Sequence, residues 1–336
     1  MTGAPFLSVV IPTFNRTESL IGCLGRLAAQ SYPRSRFEVV VVDDGSTDGT
    51  QDAVVRFAAE SGLPVSCLRQ AHSGPAAARN AGARNTRGEI LAFTEDDVEP
   101  DRQWLELAAN YFQGPATDAL EGDTRPAGSG TLRSFERPGT RGYLPCNLFV
   151  RRNLFFEVGG FDPEYCDLTL GLYFREDADF GCRLLDRGKE TRFGPDVVVT
   201  HPEQFTTAGA VLRHVRRYLF DPLLYKKHPA FYRSSVEVKH LGPIAIHRPF
   251  HYLCWFYVAA FIAILFEISI RHYSTLPFLL VIMLLLHMGI RFRYEHKAIP
   301  ALWNIPRSFA FAVLPFYYFA WFIRGCRRFR SWGALV

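Results

Sequence analysis

The sequence of 336 residues lacks the usual signatures of several protein classes. Its seven cysteines include no CxxC pair and are odd in number, which gives no support to a disulfide framework or a common zinc motif. We therefore expect reduced cysteines in a reducing compartment. The net charge is only +5, so the overall composition does not indicate a nucleic-acid partner.

The N-terminus also lacks the features of an export signal. No basic n-region and no long apolar run precede the first predicted strand. We therefore expect the N-terminal domain to remain in the cytosol. Internal repeats and low-complexity tracts are missing as well, so a solenoid or a disordered chain is not indicated.

Short apolar runs alternate with amphipathic stretches in the first part of the chain. They predict strands at 6–12, 37–42, 65–69 and 89–94 and helices at 17–31, 48–60 and 74–87. This alternation is typical of an α/β protein with a mostly parallel, Rossmann-like sheet flanked by helices. Further on, residues 114–145 predict loops and edge strands, 147–157 a strand and a turn, 176–188 a helix and 197–200 a last strand. Ligands of such sheets bind at the carboxyl ends of the strands.

Longer apolar runs appear in the last third of the chain. Residues 252–270 contain one charge, Glu267, and as a helix would extend about 28 Å, close to the thickness of a hydrocarbon core. Residues 275–290 follow after four residues, so the two runs predict a helical membrane hairpin. A third run, 308–323, ends at a basic tail. Because a third crossing would place that tail outside, we expect this run to be interfacial or re-entrant. The alternative is a soluble protein in which 252–290 form a buried hairpin.

Between these parts, residues 206–230 predict an amphipathic helix interrupted at Pro222. It is either a packing helix with a solvated basic face or an interfacial helix that lies on the bilayer. Basic clusters at Arg213–Arg217, Arg291–Lys297 and Arg324–Arg330 indicate contact with anionic lipid headgroups. We therefore predict three parts: a domain at 1–205 on the cytoplasmic face, an interfacial helical linker at 206–250, and a membrane region at 251–336.

Three consecutive acids, Glu95-Asp96-Asp97, follow the strand at 89–94. Like charges so close together are unfavourable in a dry environment unless a cation compensates them, and Mg²⁺ or Mn²⁺ would suit their oxygen ligands. The alternative is a solvated acidic turn. His201, after the last strand, is either a structural histidine or a further ligand of that metal.

Three other groups of residues have both a chemical and a structural interpretation. Asp43-Asp44 after the second strand could accept hydrogen bonds from a ligand, or could form a turn or cap. Arg79 could bind an anion near a helix N-terminus, or could be an exposed arginine. Glu176-Asp177 could supply a general base, or could be acids that suit the start of a helix.

Taken in order, these stretches resemble family 2 glycosyltransferases of the GT-A fold. The resemblance covers residues 6–205 and rests on six segments: Val9–Arg16, Val41–Thr50, Ala78–Gly82, Gly88–Asp97, Val158–Asp162 and Glu176-Asp177. It implies a membrane-attached inverting enzyme that uses a nucleotide-sugar donor, UDP-, GDP- or dTDP-linked, with Mn²⁺ or Mg²⁺.

The resemblance also implies roles for individual residues. Asp177 would be the base, Glu176 would orient the acceptor, and Glu95, Asp97 and His201 would hold the metal. The nucleotide-binding set would comprise Pro12, Thr13, Asn15, Asp43, Asp44, Arg79 and Asp96. One departure is Glu95, where the DxD motif of the family begins with aspartate.

The acceptor and the competing functions follow from the same features. A membrane hairpin favours a lipid-linked or membrane-proximal acceptor. Family relatives that use polyprenyl phosphate generally carry a different helix motif from Ala78-Arg79-Asn80. The resemblance therefore favours a sugar hydroxyl on a lipid-linked glycan, and the alternative is a polyprenyl phosphate. A sugar nucleotidyltransferase would need a Gly-rich phosphate loop after the first strand, where the chain reads Pro12-Thr13-Phe14-Asn15. A non-catalytic membrane protein that binds nucleotide-sugars is a further alternative, which Glu95 favours and Glu176-Asp177 disfavours.

Overall fold

A computed structural model describes residues 4–114, 116–127, 143–189, 191–202, 208–236, 238–241, 244–271, 273–294 and 305–335. Its chain divides into two compact units, Met1–Gln204 and Phe205–Val336, each of which is described by itself. Half of the predicted loop at 114–145 and the side chains of the cluster Arg291–Lys297 lie outside the described residues.

The first unit is built on a mostly parallel sheet, as predicted. Its strands in the described residues are β1 Leu7–Thr13, β2 Phe37–Asp43, β3 Val65–Arg69, β4 Ile90–Phe93, β5 Glu99–Pro100, β6 Ala119–Pro126, β7 Leu148–Arg151 and β10 Thr191–His201. Their order is β3-β2-β1-β4-β7-β6-β10-β5. Strands β1 to β4 are parallel to one another, as are β6 and β10, whereas β7 and β5 are antiparallel to their neighbours. A separate hairpin consists of β8 Cys166–Asp167 and β9 Leu172–Tyr173.

Helices cover this sheet because their apolar residues recur at helical spacing. They are α1 Thr17–Ala28, α2 Thr50–Ser61, α3 Pro75–Arg84, α4 Trp104–Tyr111, α5 Arg152–Glu157 and α6 Glu176–Leu185. Helix α1 buries Leu20, Cys23, Leu24 and Leu27 on one face. Helix α3 approaches the sheet so closely at Gly82 that a Cβ there would lie 2.4 Å from Val10 Cγ1.

Strand β6 differs from the prediction of loops and edge strands at 114–145. It lies inside the sheet, between β7 and β10. Its sequence, Ala-Leu-Glu-Gly-Asp-Thr-Arg-Pro, is too polar to resemble a buried strand. The fully buried Asn147 allows this position, because its amide donates to the carbonyls of Asp123 and Val197 and its oxygen accepts from Trp104.

The second unit is largely helical. Its elements are α7 Ala208–Val215, a 3₁₀ helix Arg216–Phe220, α8 Asp221–Lys227, α9 Pro229–Ser235, β11 Val238–Leu241, β12 Ile244–His247, α10 Pro249–Ser269, α11 Leu276–Tyr294 and α12 Ile305–Phe329. The described part of the predicted helix at 206–230 thus consists of α7, the 3₁₀ helix, α8 and the start of α9. Pro222 lies at the start of α8 rather than in a helix interior.

The apolar helices differ in length from the predicted runs. Among the described residues, Pro249–Ser269 and Phe309–Phe329 are long and apolar enough to cross a membrane, while the apolar part of α11, Leu276–Ile290, is shorter. Helix α12, Ile305–Phe329, is longer than the predicted run 308–323 because it also includes the residues that follow the run, and it continues on both sides of Pro315. These helices make an association with a membrane possible by length and composition.

Candidate active site

The acidic triplet lies in the turn that follows β4, beside the carboxyl end of β1. Thr13 Oγ1 donates to Asp96 Oδ2 at 2.8 Å. Arg16 donates from Nη1 to Asp96 Oδ1 at 3.2 Å and to Asp97 Oδ2 at 2.7 Å. Burial raises the pKa of Asp96 to about 6, although Thr13 and Arg16 oppose the shift. Thr13 and Asp96 therefore form one hydrogen-bonded group, which Arg16 completes.

Glu95, Asp97 and His201 converge on one point of this edge. Their possible ligand atoms all lie within 4.8 Å of one another. His201 Nε2 is 3.5 Å from Glu95 Oε2 and 3.8 Å from Asp97 Oδ1. Strand β5 pairs with β10 through Pro100 and Val199, and this pairing brings His201 to the acids from more than 100 residues away.

The donor set of this cluster fits a divalent cation. Asp97 Oδ1 is buried, and no hydrogen bond reaches it from the described residues. Such an atom is unfavourable unless a ligand compensates it. Burial by itself disfavours the charged imidazole of His201, but hydrogen bonds to Glu95 and the Pro202 carbonyl, with both carboxylates, raise its pKa above the ordinary value. Two carboxylates and one imidazole suit Mn²⁺ or Mg²⁺.

Arg79 connects this cluster to helix α6. Its guanidinium donates to Glu95 Oε1 at 3.0 Å and to Glu176 Oε1 at 3.3 Å. The side chain is only 3% exposed and lies 5.6 Å from the ring centre of Phe161. Arg79 is therefore a buried bridge between two carboxylates and not an exposed arginine.

Glu176 and Asp177 occupy the first turn of α6. The residue before them, Arg175, has a backbone φ of 78°, which is a strained conformation for any residue other than glycine. Asp177 Oδ1 accepts from the Ala178 amide at 2.7 Å. Desolvation, and then the charge of Glu176, raise the pKa of Asp177 to about 7. A carboxylate with such a pKa suits a general base near neutral pH.

The turn Gly159-Gly160-Phe161 is held against α3 and α6 by polar contacts. Asn80 accepts from the Phe161 amide at 2.9 Å and donates to its carbonyl at 2.6 Å. Arg183 donates to the carbonyls of Val158 and Gly160 and pairs with Asp179 at 2.7 Å. These contacts place Phe161 beside Arg79 and so position the bridge.

The remaining predicted residues lie near the ends of β1 and β2. Asp44 accepts from Gln70, Ser73 and Gly74 at 2.7–2.9 Å and is 2.9 Å from His72 Nδ1. Asp43 caps the Ser46 amide at 2.7 Å. Asn15 accepts from the Thr47 amide at 2.8 Å, and Pro12 lies opposite Val42 in the sheet. Asp43, Asp44 and Asn15 thus hold loop residues in place. In the hydrogen bonds of the described residues, none of the three contacts the metal-ligand cluster or Arg79.

Sequence reasoning missed three side chains of this region. Arg16 binds two acids of the triplet, Asn80 holds the Phe161 turn, and His72 stacks on Phe14 with ring centres 4.1 Å apart. Arg16 and Asn80 stand within the motifs that carry the resemblance, so their positions were a usable signal. The stacking partner of Phe14 could not be predicted from the sequence, because His72 lies 58 positions further along the chain.

Comparisons with known proteins agree with this architecture. Residues 8–165 match the family described as glycosyl transferase family 2, and residues 146–324 match glycosyl transferase family group 2. The chain is 30% identical over 267 residues to glycosyltransferase AglE of Haloferax volcanii, a match that covers 76% of this chain and 81% of that protein.

Two further similarities concern part of the chain or the fold alone. The poly(ribitol-phosphate) beta-N-acetylglucosaminyltransferase TarS of Staphylococcus aureus is 35% identical over 113 residues, 34% of this chain and 20% of that one. A mannosyltransferase of Pyrobaculum calidifontis, solved with GDP-Man and Mn²⁺, has a TM-score of 0.57 at 20% identity. That alignment covers 99% of this chain and 88% of the solved one.

Proposed function

The chain belongs to glycosyl transferase family 2 and is a glycosyltransferase for nucleotide-sugar donors, and from this premise we propose a metal-dependent, inverting enzyme. Its acceptor is a hydroxyl of a membrane-proximal, lipid-linked glycan. The catalytic unit works on the cytoplasmic face of a membrane to which the second unit attaches.

One observation carries the proposal. A single buried arginine, Arg79, bonds both to Glu95 of the metal-ligand cluster and to Glu176, the neighbour of Asp177. The residues proposed to hold the metal and the helix turn that carries Asp177 are therefore linked through one buried side chain. Preorganised charges of this kind are a main source of rate enhancement in group transfer.

Asp177 acts as the general base of a single displacement. It takes the proton from the acceptor hydroxyl while the hydroxyl oxygen forms a bond to the anomeric carbon. The bond from that carbon to the diphosphate oxygen breaks, its electron pair stays on the diphosphate, and the configuration inverts. A divalent cation held by Glu95, Asp97 and His201 would supply positive charge for the leaving group. Glu176, fixed by Arg79, orients the acceptor.

The donor nucleoside binds at the carboxyl ends of β1 and β2. Thr13 lines this region, and Pro12, Asn15, Asp43 and Asp44 shape it. The carboxylate of Asp44 has four close polar partners within the protein, and a carboxylate offers about four acceptor positions. We therefore assign Asp44 the role of holding residues 70–74 in place, instead of direct hydrogen bonding to the ribose.

Calorimetry on the full chain in detergent tests the donor and the metal. UDP-, GDP- and dTDP-sugars are titrated with and without Mn²⁺, and Mn²⁺ is also titrated alone. We expect one donor class to bind with metal, and Asp97→Asn to weaken Mn²⁺ binding at least tenfold. The exposed acid Glu99, changed to Gln, is the matched control and keeps both affinities.

Three results would contradict separate parts of the proposal. A folded protein that binds no donor would refute a nucleotide-sugar enzyme and support the non-catalytic alternative. Equal Mn²⁺ binding by Asp97→Asn would refute the metal site. Retention of anomeric configuration, measured by NMR on the product, would refute the single displacement, and transfer to polyprenyl phosphate alone would replace the hydroxyl acceptor.

A further inference from the structure

The two units of the chain carry formal charges of opposite sign, which largely cancel in the modest net charge of the whole chain. Residues 205–336 contain 17 Lys and Arg and four Asp and Glu, a formal charge of +13, while residues 1–204 carry −8. Of those four acids, Asp221 is buried and accepts from Tyr232 at 3.1 Å. Charge asymmetry of this size indicates a polyanionic partner for the basic half.

Two basic segments that are far apart in sequence meet in the fold of the second unit. The 3₁₀ helix Arg216–Phe220 packs on the C-terminal part of α12 at Gly325. A Cβ at position 325 would lie 2.2 Å from the Leu219 carbonyl oxygen, so the two backbones are in direct contact. The basic residues on both sides of this contact therefore belong to one surface.

Trp321 lies at the centre of that surface. The guanidinium carbons of Arg216 and Arg324 are each 5.0 Å from its ring centre. Arg213 on α7 and Arg324, Arg327 and Arg328 on α12 are exposed. A tryptophan between arginines is typical of the headgroup level of a bilayer, where an aromatic ring meets both apolar and charged surroundings.

Helix α12 is covered along one face by the rest of its unit. Its buried side chains recur at helical spacing and comprise Phe311, Leu314, Tyr318, Phe322, Cys326 and Phe329. The elements packed on it include α8, α7 with Arg213, and the 3₁₀ helix with Arg216 and Arg217. Arginines so close to its flank do not suit a helix that crosses hydrocarbon.

The hairpin of α10 and α11 has the opposite character. Large apolar side chains are exposed on both helices, among them Trp255, Phe256, Ile262, Phe266, Phe278 and Leu285. Between Pro249 and Ile290 the sequence contains two charged residues, Glu267 and Arg271. These helices suit the interior of a bilayer, whereas α12 and the 3₁₀ helix suit its charged surface.

We propose that one surface of the second unit binds the phosphate headgroups of anionic phospholipids. This surface comprises Arg213, Arg216, Arg217, Trp321, Arg324, Arg327 and Arg328. The proposal rests on the membrane attachment in the proposed function and names the lipid class. Arg216 and Arg324 bind the headgroup phosphate while Trp321 lies at the level of the glycerol.

Native mass spectrometry of the full chain in a neutral detergent tests this surface. Phosphatidylglycerol, phosphatidylcholine and inorganic phosphate are each added to delipidated protein. We expect phosphatidylglycerol to bind at least fivefold more tightly than phosphatidylcholine, and Arg216→Gln with Arg324→Gln to remove the difference. The control pair Arg56→Gln with Arg102→Gln removes equal charge from exposed positions of the first unit and keeps the preference.

The outcomes separate this surface from the proposed function. Equal binding of both lipids, or an unchanged preference in the double variant, would overturn the proposal, and so would displacement of phosphatidylglycerol by millimolar inorganic phosphate. If that variant fails to fold, the exposed pair Arg213→Gln with Arg327→Gln must lower the preference instead. Donor binding, measured on the same samples, stays unchanged in all variants. If the wild-type protein binds no donor but keeps its preference for phosphatidylglycerol, the result counts against the proposed enzyme and not against the lipid-binding surface.

Discussion

Asp177→Asn has opposite effects on activity and on stability. The change removes the carboxylate that accepts the proton, and loss of a general base lowers turnover by roughly 10²–10⁴-fold. In the wild type, kcat/KM rises with pH to a plateau with a midpoint near the raised pKa of about 7. Asn cannot titrate, so the fall in kcat/KM toward acidic pH disappears. The Ala178 amide keeps an acceptor, because Asn retains an oxygen at the same position.

The stability effect follows from the direction of the pKa shift. Asp177 has its ordinary value of 3.8 in the unfolded chain and about 7 in the native state. Its contribution to stability is therefore present below pH 4 and is lost as the pH rises to about 7. At about 1.4 kcal/mol per pKa unit the loss is roughly 4 kcal/mol. Solvent around the half-buried side chain reduces it to about 1–3 kcal/mol.

Thermal unfolding and initial rates measured from pH 5 to pH 8 check both effects. We expect Asp177→Asn to unfold at a higher temperature than the wild type at pH 8, by several degrees, and to differ less at pH 5. The exposed Asp186, changed to Asn, serves as the matched control. A less stable Asp177→Asn protein at pH 8, or an unchanged fall in kcat/KM toward acidic pH, would refute the assignment of a desolvated base.

Changes at three other positions test the packing of the first unit. Arg79→Met leaves two carboxylates without their bridging cation and should lower the free energy of unfolding by about 3–5 kcal/mol. Arg79→Lys cannot span both carboxylates, so its free energy of unfolding should lie between those of the wild type and Arg79→Met. Equal denaturation midpoints for the three proteins would contradict the bridge. Gly22→Ala in α1 meets no atom within 4 Å and should stabilise the protein by about 0.5–1 kcal/mol. Gly82→Ala in α3 meets Val10 at 2.4 Å and should destabilise it by about 1–3 kcal/mol, so a common sign for both glycines would be inconsistent with this packing.

The sequence determined the elements whose signal is local. The strands at β1, β2 and β4 are continuous apolar runs, and α1 repeats its apolar residues every three or four positions. Both patterns depend on backbone periodicity, which near neighbours in the chain set. The motifs then marked the polar residues at the carboxyl ends of these strands, and the apolar runs marked the last third of the chain.

Only the tertiary structure decided what these residues contact. By type, Arg79 suits an anion and Asp44 suits a ligand, yet Arg79 is occupied by Glu95 and Glu176 and Asp44 by the backbone of residues 73 and 74. The prediction of loops and edge strands at 114–145 is wrong for β6 for the same reason. The buried amide that donates to its backbone comes from Asn147, in another segment of the chain.

The charged surface of the second unit has the same origin. The basic residues near 216 and near 324 are two ordinary clusters in the sequence, and a glycine at 325 allows the backbones to touch and makes them one. Whether basic residues about 110 positions apart in the sequence form one charged surface depends on how closely their elements approach. Packing of the whole unit sets that approach, and local periodicity carries no information about it.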